Sequence, residues 1–294
     1  MKLLRNSTVG VGQHRYGWPA AKEALTARCD GRGMLLDDFV EASHTYHPLG
    51  SPIAEPWVGI FHHPVNISSP LASDNKHAQQ NILRIRSFTA SAAHLRGAIA
   101  LAPDLAAYLR HTLGPSVKVL ELKHPAEQSP PHWLDAGLGI FQIGCFLRDT
   151  RFIYSLDSPL LRSRIRPWLD WDKERDHQLQ CLPTALSINN TQVDELYRLR
   201  DSDYDFRLQH SIAASYLFGA AANNTVVECI ARGTPLMVNR HSEVESYLGA
   251  QYPLYYGEET GSIHDAHEHM RSIALPSVDT FAQQVKDFVD ELQC

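Results

Sequence analysis

Cysteine is scarce and unpatterned: the five thiols, Cys29, Cys145, Cys181, Cys229 and Cys294, are odd in number, scattered, and contain no C-x-x-C pair. That excludes a disulfide framework or a zinc site as the organising principle and leaves buried free thiols as the expectation. Long apolar runs are missing too; none approaches the roughly 20 residues needed to cross a bilayer. The N-terminal MKLLRNSTVGVG has no hydrophobic stretch of signal-peptide length, so a cytosolic protein is expected, in which the N-x-S/T matches at Asn6, Asn66, Asn189 and Asn223 carry no meaning. Basic excess is absent as well, the net charge being −6, so no global field draws nucleic acid to the chain. Internal repeats and low-complexity tracts are not found.

What remains is the composition of an ordinary globular protein, 44% hydrophobic and 20% charged over 294 residues, long enough for two domains. The most informative stretch runs from Ala220 to Tyr256 and begins AAANNTVVECIARGTPLMVN. Thr225 and Glu228 have the spacing of a capping box that would start a short helix. Gly233 supplies a left-handed stop, Pro235 forbids continuation, and Leu236 to Val238 is a short apolar run of buried-strand type. Helix, tight turn and strand make half of a parallel α/β unit. Asn223 and Asn224 just before the helix tolerate unusual backbone angles, so their loop can aim free amides and the positive helix end at an anion.

ECIARGTPLMVN resembles the C-terminal-domain signature of retaining, nucleotide-sugar-dependent glycosyltransferases of the GT-B fold, the family-four type, whose pattern is roughly E-A-M-A-C-G-T-P-V-V. The resemblance implies an α/β protein of two Rossmann-like domains facing across a cleft, with a C-terminal helix crossing back to the first. It implies that Glu228 holds the nucleotide ribose and that the loop before it, Asn223, Asn224 and Thr225, cradles the diphosphate. The family's second Glu, upstream of this one, is replaced here by Ala220.

Further matches follow in order. The first domain is expected over 1–127. Its TVGVG, Thr8 to Gly12, is a glycine element after a strand, where Gly12 would let backbone approach the bound sugar or phosphate. Met34 to Val40 is an apolar patch interrupted by Asp37 and Asp38. Trp57 to Phe61 (WVGIF) is a strand running into His62 and His63. Residues at the carboxyl end of a parallel strand face the ligand crevice, and this pair resembles the family's histidine that touches the transferred sugar or its phosphate. Gly97 to Leu101 is a buried strand, Pro103 to Thr112 a helix, and Val117 to Leu122 the next strand: a parallel crossover unit.

The loop-like AEQSPP, Ala126 to Pro131, marks the junction, and a nucleotide-sugar domain is expected over 128–276. Leu138 to Leu147 reads as a continuous apolar strand leading to Arg148 and Arg151. With Gly144 these resemble the glycine and basic residues with which such transferases neutralise a leaving diphosphate, and an arginine fork suits phosphate oxygens. Arg162, Arg164 and Arg166 lie near Trp168 and Trp171, but Asp170, Asp172, Glu174 and Asp176 follow at once, so a solvated helix or loop is expected there. Glu243 and Glu245, two apart, share no helix face. Tyr252 to Tyr256 reads as a strand, and His264, His267 and His269 as a turn-rich polar region whose spacing collects no metal-binding face. Phe281, Val285, Phe288, Val289 and Leu292 form a helical apolar stripe over the closing segment, 277–294.

The resemblance implies transfer of a sugar from a nucleotide-diphosphate sugar to a hydroxyl, with retention and without an essential metal or cofactor. His63, Arg148 and Arg151 would serve the chemistry; Gly12, His62, Gly144, Asn223, Asn224, Thr225 and Glu228 would hold the donor. An inverting route would need a base, for which His63, Asp37 or Asp38 qualify. A nucleotide-sugar binding module and an epimerase- or hydrolase-like GT-B protein are the alternatives. The acceptor (small molecule, glycan, lipid or modified nucleic acid), the donor base and the oligomeric state are left open.

Overall fold

The computed structural model describes residues 1–4, 18–46, 51–69, 72–126, 132–144, 146–165, 193–196 and 199–293. Two five-stranded sheets organise them. The first runs β1 (Lys2–Leu3), β2 (Leu35–Asp37), β3 (Trp57–Phe61), β4 (Leu95–Ala100), β5 (Lys118–Glu121), every pair parallel. The apolar runs of β3 and β4 are nearly all buried, as strands covered by helices on both faces must be. Around them lie α1 (Trp18–Ala27), α2 (Gln79–Ile82), α3 (Arg86–Ser91) and α4 (Pro103–Leu113), the last begun by its proline and stopped at Gly114, φ 76°.

In the second sheet β6 (Ile140–Gln142) is central, and the parallel order is β10 (Leu236–Val238), β9 (Ile212–Ser215), β6, β7 (Arg162–Ile165), β8 (Val193–Leu196). The chain leaves β6 toward β7 on one side and later fills β9 on the other. This reversal of strand order opens a crevice beyond the carboxyl ends of β6 and β9, the place where α/β sheets bind ligands. Its helices include α5 (Phe152–Ser155), α6 (Asp201–Gln209), α7 (Asn224–Arg232), α8 (Ser242–Leu248) and α9 (Ile263–Ser272).

The closing helix α10 (Val278–Glu291) returns to the first domain, burying Phe281, Val285, Phe288 and Val289 with Trp18, Leu25, Val58 and Ile60. Gly97 on β4 makes room for it: a Cβ there would lie 2.6 Å from Leu292 Cδ1 and 2.8 Å from Phe288 Cε1. The two chain crossings between domains run side by side, Ala126 N–H donating to Pro276 O at 3.1 Å; residues 127–131 of the expected junction lie outside the described residues. On the far side of the cleft α8 docks on the first sheet. Tyr247 Oη donates to Leu101 O at 3.1 Å and accepts His124 N–H at 2.9 Å, while Ser242 donates to Asp104 at 2.5 Å. Beside them Glu243 accepts the Leu105 amide, and burial next to Asp104 pushes its carboxyl up to about 9. Among the described residues no helix is long and apolar enough to cross a membrane.

Four expectations are corrected. The run Leu138 to Leu147 is a strand only over Ile140–Gln142, because Gln142 turns its amide to Asp149 O (2.9 Å) and Ile153 N–H (2.8 Å) and Gly144 takes φ 74°. Arg162 and Arg164 are not solvated but buried in β7, where the turns around α5 supply carbonyl acceptors, Leu156 O at 2.6 Å and Thr150 O at 2.7 Å; Arg166, Trp168 and Trp171 lie outside the described residues. Tyr252 to Tyr256 contributes only the bridge Val238 to Tyr255 and is pinned by Tyr252 Oη on the Leu236 backbone. The histidines His264, His267 and His269 sit on α9, started by a true capping box of Ser262 and Asp265; His267 donates to Gly233 O and His269 to Leu248 O.

Candidate functional site

The crevice beyond β6 and β9 is furnished by α7. Its N-cap is Asn223, whose side-chain oxygen accepts Val226 N–H at 3.2 Å, and its stop is Gly233 in the left-handed region, φ 69°. The Thr225–Glu228 capping box expected from spacing does not form, because the helix starts two residues earlier on an asparagine, an equal or better cap. Thr225 is thereby released into the first turn, and its hydroxyl accepts Arg148 Nη2–H at 2.9 Å. The same guanidinium nitrogen reaches Asn223 Oδ1 at 3.4 Å, and Nη1 donates to Phe146 O at 3.0 Å. These three acceptors are neutral, and the bonds orient the guanidinium.

Gly144 lies directly under that guanidinium: a Cβ would stand 2.6 Å from Arg148 Cζ, and φ 74° disfavours any other residue. Gly144, Arg148, Asn223, Asn224 and Thr225 therefore converge on the positive end of one nine-residue helix. Glu228 follows Thr225 on the same helical face, one turn deeper. It is buried, accepts Tyr204 Oη–H at 2.8 Å, and lies 3.3 Å from Arg232 Nη2, which also pairs with Asp205.

Arg151 is not part of this gathering. Its Nε and Nη2 form a fork on Asp149, at 3.0 and 2.9 Å, beside α5. That local carboxylate takes the two donors a phosphate would use.

The first domain forms the opposite wall. His62 and His63 follow β3 directly, and their rings take different surroundings. The His62 ring is wedged between Trp18 and Phe39, centroids 4.2 Å from each, with Nε2–H on Asp38 O at 3.0 Å, so the side chain serves the core rather than a ligand. Its carbonyl instead accepts Ala222 N–H at 3.2 Å, tying the first domain to the loop before α7. His63 Nδ1 lies 2.8 Å from His77 O. A carbonyl only accepts, so Nδ1 carries the hydrogen and Nε2 is the unprotonated nitrogen. Burial pushes the His63 imidazole down to about 3 and that of His77 to about 4, so both rings are neutral near pH 7. Gly12 lies outside the described residues.

Sequence reasoning missed Glu41, His77, Phe146 and Asp149. Glu41 Oε1 accepts the backbone N–H of His62 and of His63, at 2.8 and 2.9 Å, and so shapes the turn that presents His63. It is fully buried, which pushes its carboxyl up to about 7 against the lowering effect of those two bonds; Asp37, on Ser43 and Phe39 N–H, is likewise raised to about 7. Phe146 sits across the cleft with its ring 5.5 Å from His63 and 5.0 Å from His77. A phenylalanine between Gly144 and Arg148 is the signal that could have found it. Among the described residues no group of His, Cys, Asp and Glu is arranged to hold a metal ion.

No family model matches the sequence, and no curated protein does. Solved structures do. Anabaena Alr3699/HepE in complex with UDP is 13% identical with a TM-score of 0.56, the match covering 92% of this chain and 82% of that one. The pneumococcal O-GlcNAc transferase GtfA in complex with UDP and GlcNAc is 10% identical at TM-score 0.57, covering 92% of this chain; the chain spans only 59% of that protein. The α,α-trehalose 6-phosphate synthase from Burkholderia multivorans is 10% identical at TM-score 0.52, covering 93% and 75%. The likeness is one of architecture: the chain has the GT-B fold, two parallel α/β domains facing across a cleft, with α10 crossing back to the first.

Proposed function

We propose that the protein is a glycosyltransferase that moves a sugar from a nucleotide-diphosphate donor to an acceptor hydroxyl. The observation that carries this is Arg148, laid across the N-terminus of α7 by neutral acceptors at the crevice where the strand order reverses. A fixed cation plus aligned backbone amides is what a diphosphate leaving group requires, because negative charge grows on it as the glycosidic bond breaks. That HepE and GtfA, of similar fold, were each solved in complex with UDP supports a nucleotide ligand.

In this reading the diphosphate is held by Arg148, for whose guanidinium Gly144 makes room, and by the first-turn amides of α7 around Asn224 and Thr225. The ribose hydroxyls donate to Glu228, whose carboxylate Tyr204 and Arg232 hold in place. His63 accepts a sugar hydroxyl at Nε2. The bond from the anomeric carbon to the phosphate oxygen breaks, the acceptor oxygen bonds to that carbon, and the acceptor proton passes to the departing phosphate, so configuration is retained. Arg148 and the helix end supply the positive charge of the step, and activity is expected to survive chelation of divalent cations. Arg151 and the His62 ring have no part in it.

A second reading is favoured by one observation. Ala220, buried in the second domain's core, stands where the resembled family carries a carboxylate, which suits a module that binds a nucleotide sugar without transferring it.

A thermal-shift panel of nucleoside diphosphates and nucleotide sugars, followed by product analysis with candidate acceptors, tests both. A ligand that binds only the folded state raises its melting temperature. A shift with one diphosphate and its sugar conjugate, with transfer, is expected; a shift without transfer or hydrolysis selects the binding module, and no shift with any nucleotide overturns both.

A further inference from the structure

We propose that Phe146 is the platform on which the donor's sugar ring packs. The inference rests on the transferase reading and deepens it by naming what recognises the transferred group. Two features fix the residue's place. Its carbonyl takes Arg148 Nη1 at 3.0 Å, so its main chain belongs to the diphosphate side of the cleft. Its ring points the other way, to 5.5 Å from the His63 ring and 5.0 Å from the His77 ring of the first domain. Those spacings are ring-to-ring contact, so the imidazoles cover part of the phenyl and leave its remaining surface, 43% exposed, for a sugar joined to a diphosphate at Arg148.

The backbone shows why the ring is held there. Gly144 at φ 74° and Leu147 at φ 55° flank it, and Leu147 is the sole non-glycine residue with positive φ among the described residues. A left-handed leucine is disfavoured and needs a compensating fit. Here the twist sends the Leu147 side chain inward, 6% exposed, with its carbonyl on Phe218 N–H at 2.9 Å, and turns Phe146 outward, 43% exposed. Among the described residues Phe146 belongs to no hydrophobic core cluster.

The chemistry suits a pyranose. One face of such a ring carries C–H groups, which gain by leaving water against an aromatic surface whose π-cloud is negative. The imidazoles against the phenyl are uncharged near pH 7, and the unprotonated Nε2 of His63 can accept a hydroxyl from the ring's edge. The site thus recognises a sugar by a flat apolar face and a hydroxyl rim.

The test compares wild type, Phe146→Ala and Phe146→Trp by calorimetry with UDP, GDP and ADP and with the glucose conjugate of each. The side chain is exposed, and unchanged melting temperatures verify that the variants fold. For the base that wild type accepts, Phe146→Ala is expected to weaken the sugar conjugate about tenfold while leaving the diphosphate within about twofold, and Phe146→Trp to restore the conjugate. Equal weakening of both ligands would assign Phe146 to holding Arg148, and tighter binding of both would make it a plug; either overturns the proposal. Unchanged binding of both overturns it while leaving the transferase reading intact, whereas wild type that binds no diphosphate overturns the two together.

Discussion

The second domain lines the cleft with a cation and helix amides, whereas the first lines it with imidazoles kept neutral and with carboxyls sunk beneath them. Arg148 is oriented by Thr225, Asn223 and the Phe146 carbonyl, all uncharged, and lies at the N-terminus of α7. His63 is oriented by one carbonyl and stripped of its charge by burial; Glu41, below it, accepts two backbone amides where no ligand reaches. The contrast teaches how one cleft separates its tasks. In the proposed reading an anion finds its counter-charge at Arg148, and the described residues of the other side offer hydrogen bonds that select without competing for that anion.

The comparison breaks most sharply at Arg148. Arg148→Ala is expected to lower nucleoside-diphosphate affinity by about 10- to 100-fold, the loss of charge-assisted hydrogen bonds, while His63→Ala leaves that affinity within about twofold and lowers transfer by about tenfold or more. Calorimetry and initial rates on folded variants read both, and equal losses from the two substitutions would erase the distinction between the walls.

Glu41 sharpens it through pH. Its carboxyl lies at about 7 in the folded protein and 4.5 when unperturbed, so between those values the folded state holds a proton the unfolded chain has lost, and this group's contribution to stability falls as pH rises, levelling above about 7. His63 acts in the opposite sense: with a folded value of about 3 against 6.5, it adds stability as pH rises through that window. The two partly offset each other in wild type. Glu41→Gln removes the falling term, so the stability of the variant minus that of wild type is expected to become more favourable from pH 5 to pH 7, by about 2 kcal/mol. Denaturant unfolding at pH 5, 6 and 7 measures it, and a pH-independent difference would refute the buried-acid account.

The smallest effect belongs to Arg151. Arg151→Ala is expected to change diphosphate affinity less than about threefold and to cost about 1 kcal/mol of stability, because Asp149 loses its fork. A tenfold loss of affinity would return Arg151 to the anion side of the comparison.

Much of this was legible beforehand. The helix, stop and strand around Gly233 and Pro235 carry local signals, and so do β3, β4 and the stripe of α10. The partners of Arg148 lie 75 and 77 residues away, and only the pairing of β6 with β9 brings them together. Arg148 and Arg151 therefore looked equivalent; what separates them is a neighbour two residues off for one and a distant helix for the other. His62 and His63 are adjacent in sequence, yet one ring packs between Trp18 and Phe39 and the other against His77 and Phe146, a difference set by the turn after β3. Phe146 was hidden inside an apolar run, since hydrophobicity alone does not reveal a left-handed leucine that turns the next ring outward. Charge misled in β7, where carbonyls from the turns around α5 let two arginines be buried.

The return of α10 to the first domain sets an order of completion on the ribosome. Chains are made from the N-terminus, so β1 to β5 emerge first, yet the groove bounded by α1 and by Gly97 on β4 has no cover until Phe281 to Val289 have been made. Every strand of the second sheet is translated before that cover arrives. Of the two domains the one begun first is thus closed last, because its apolar seam is sealed by α10.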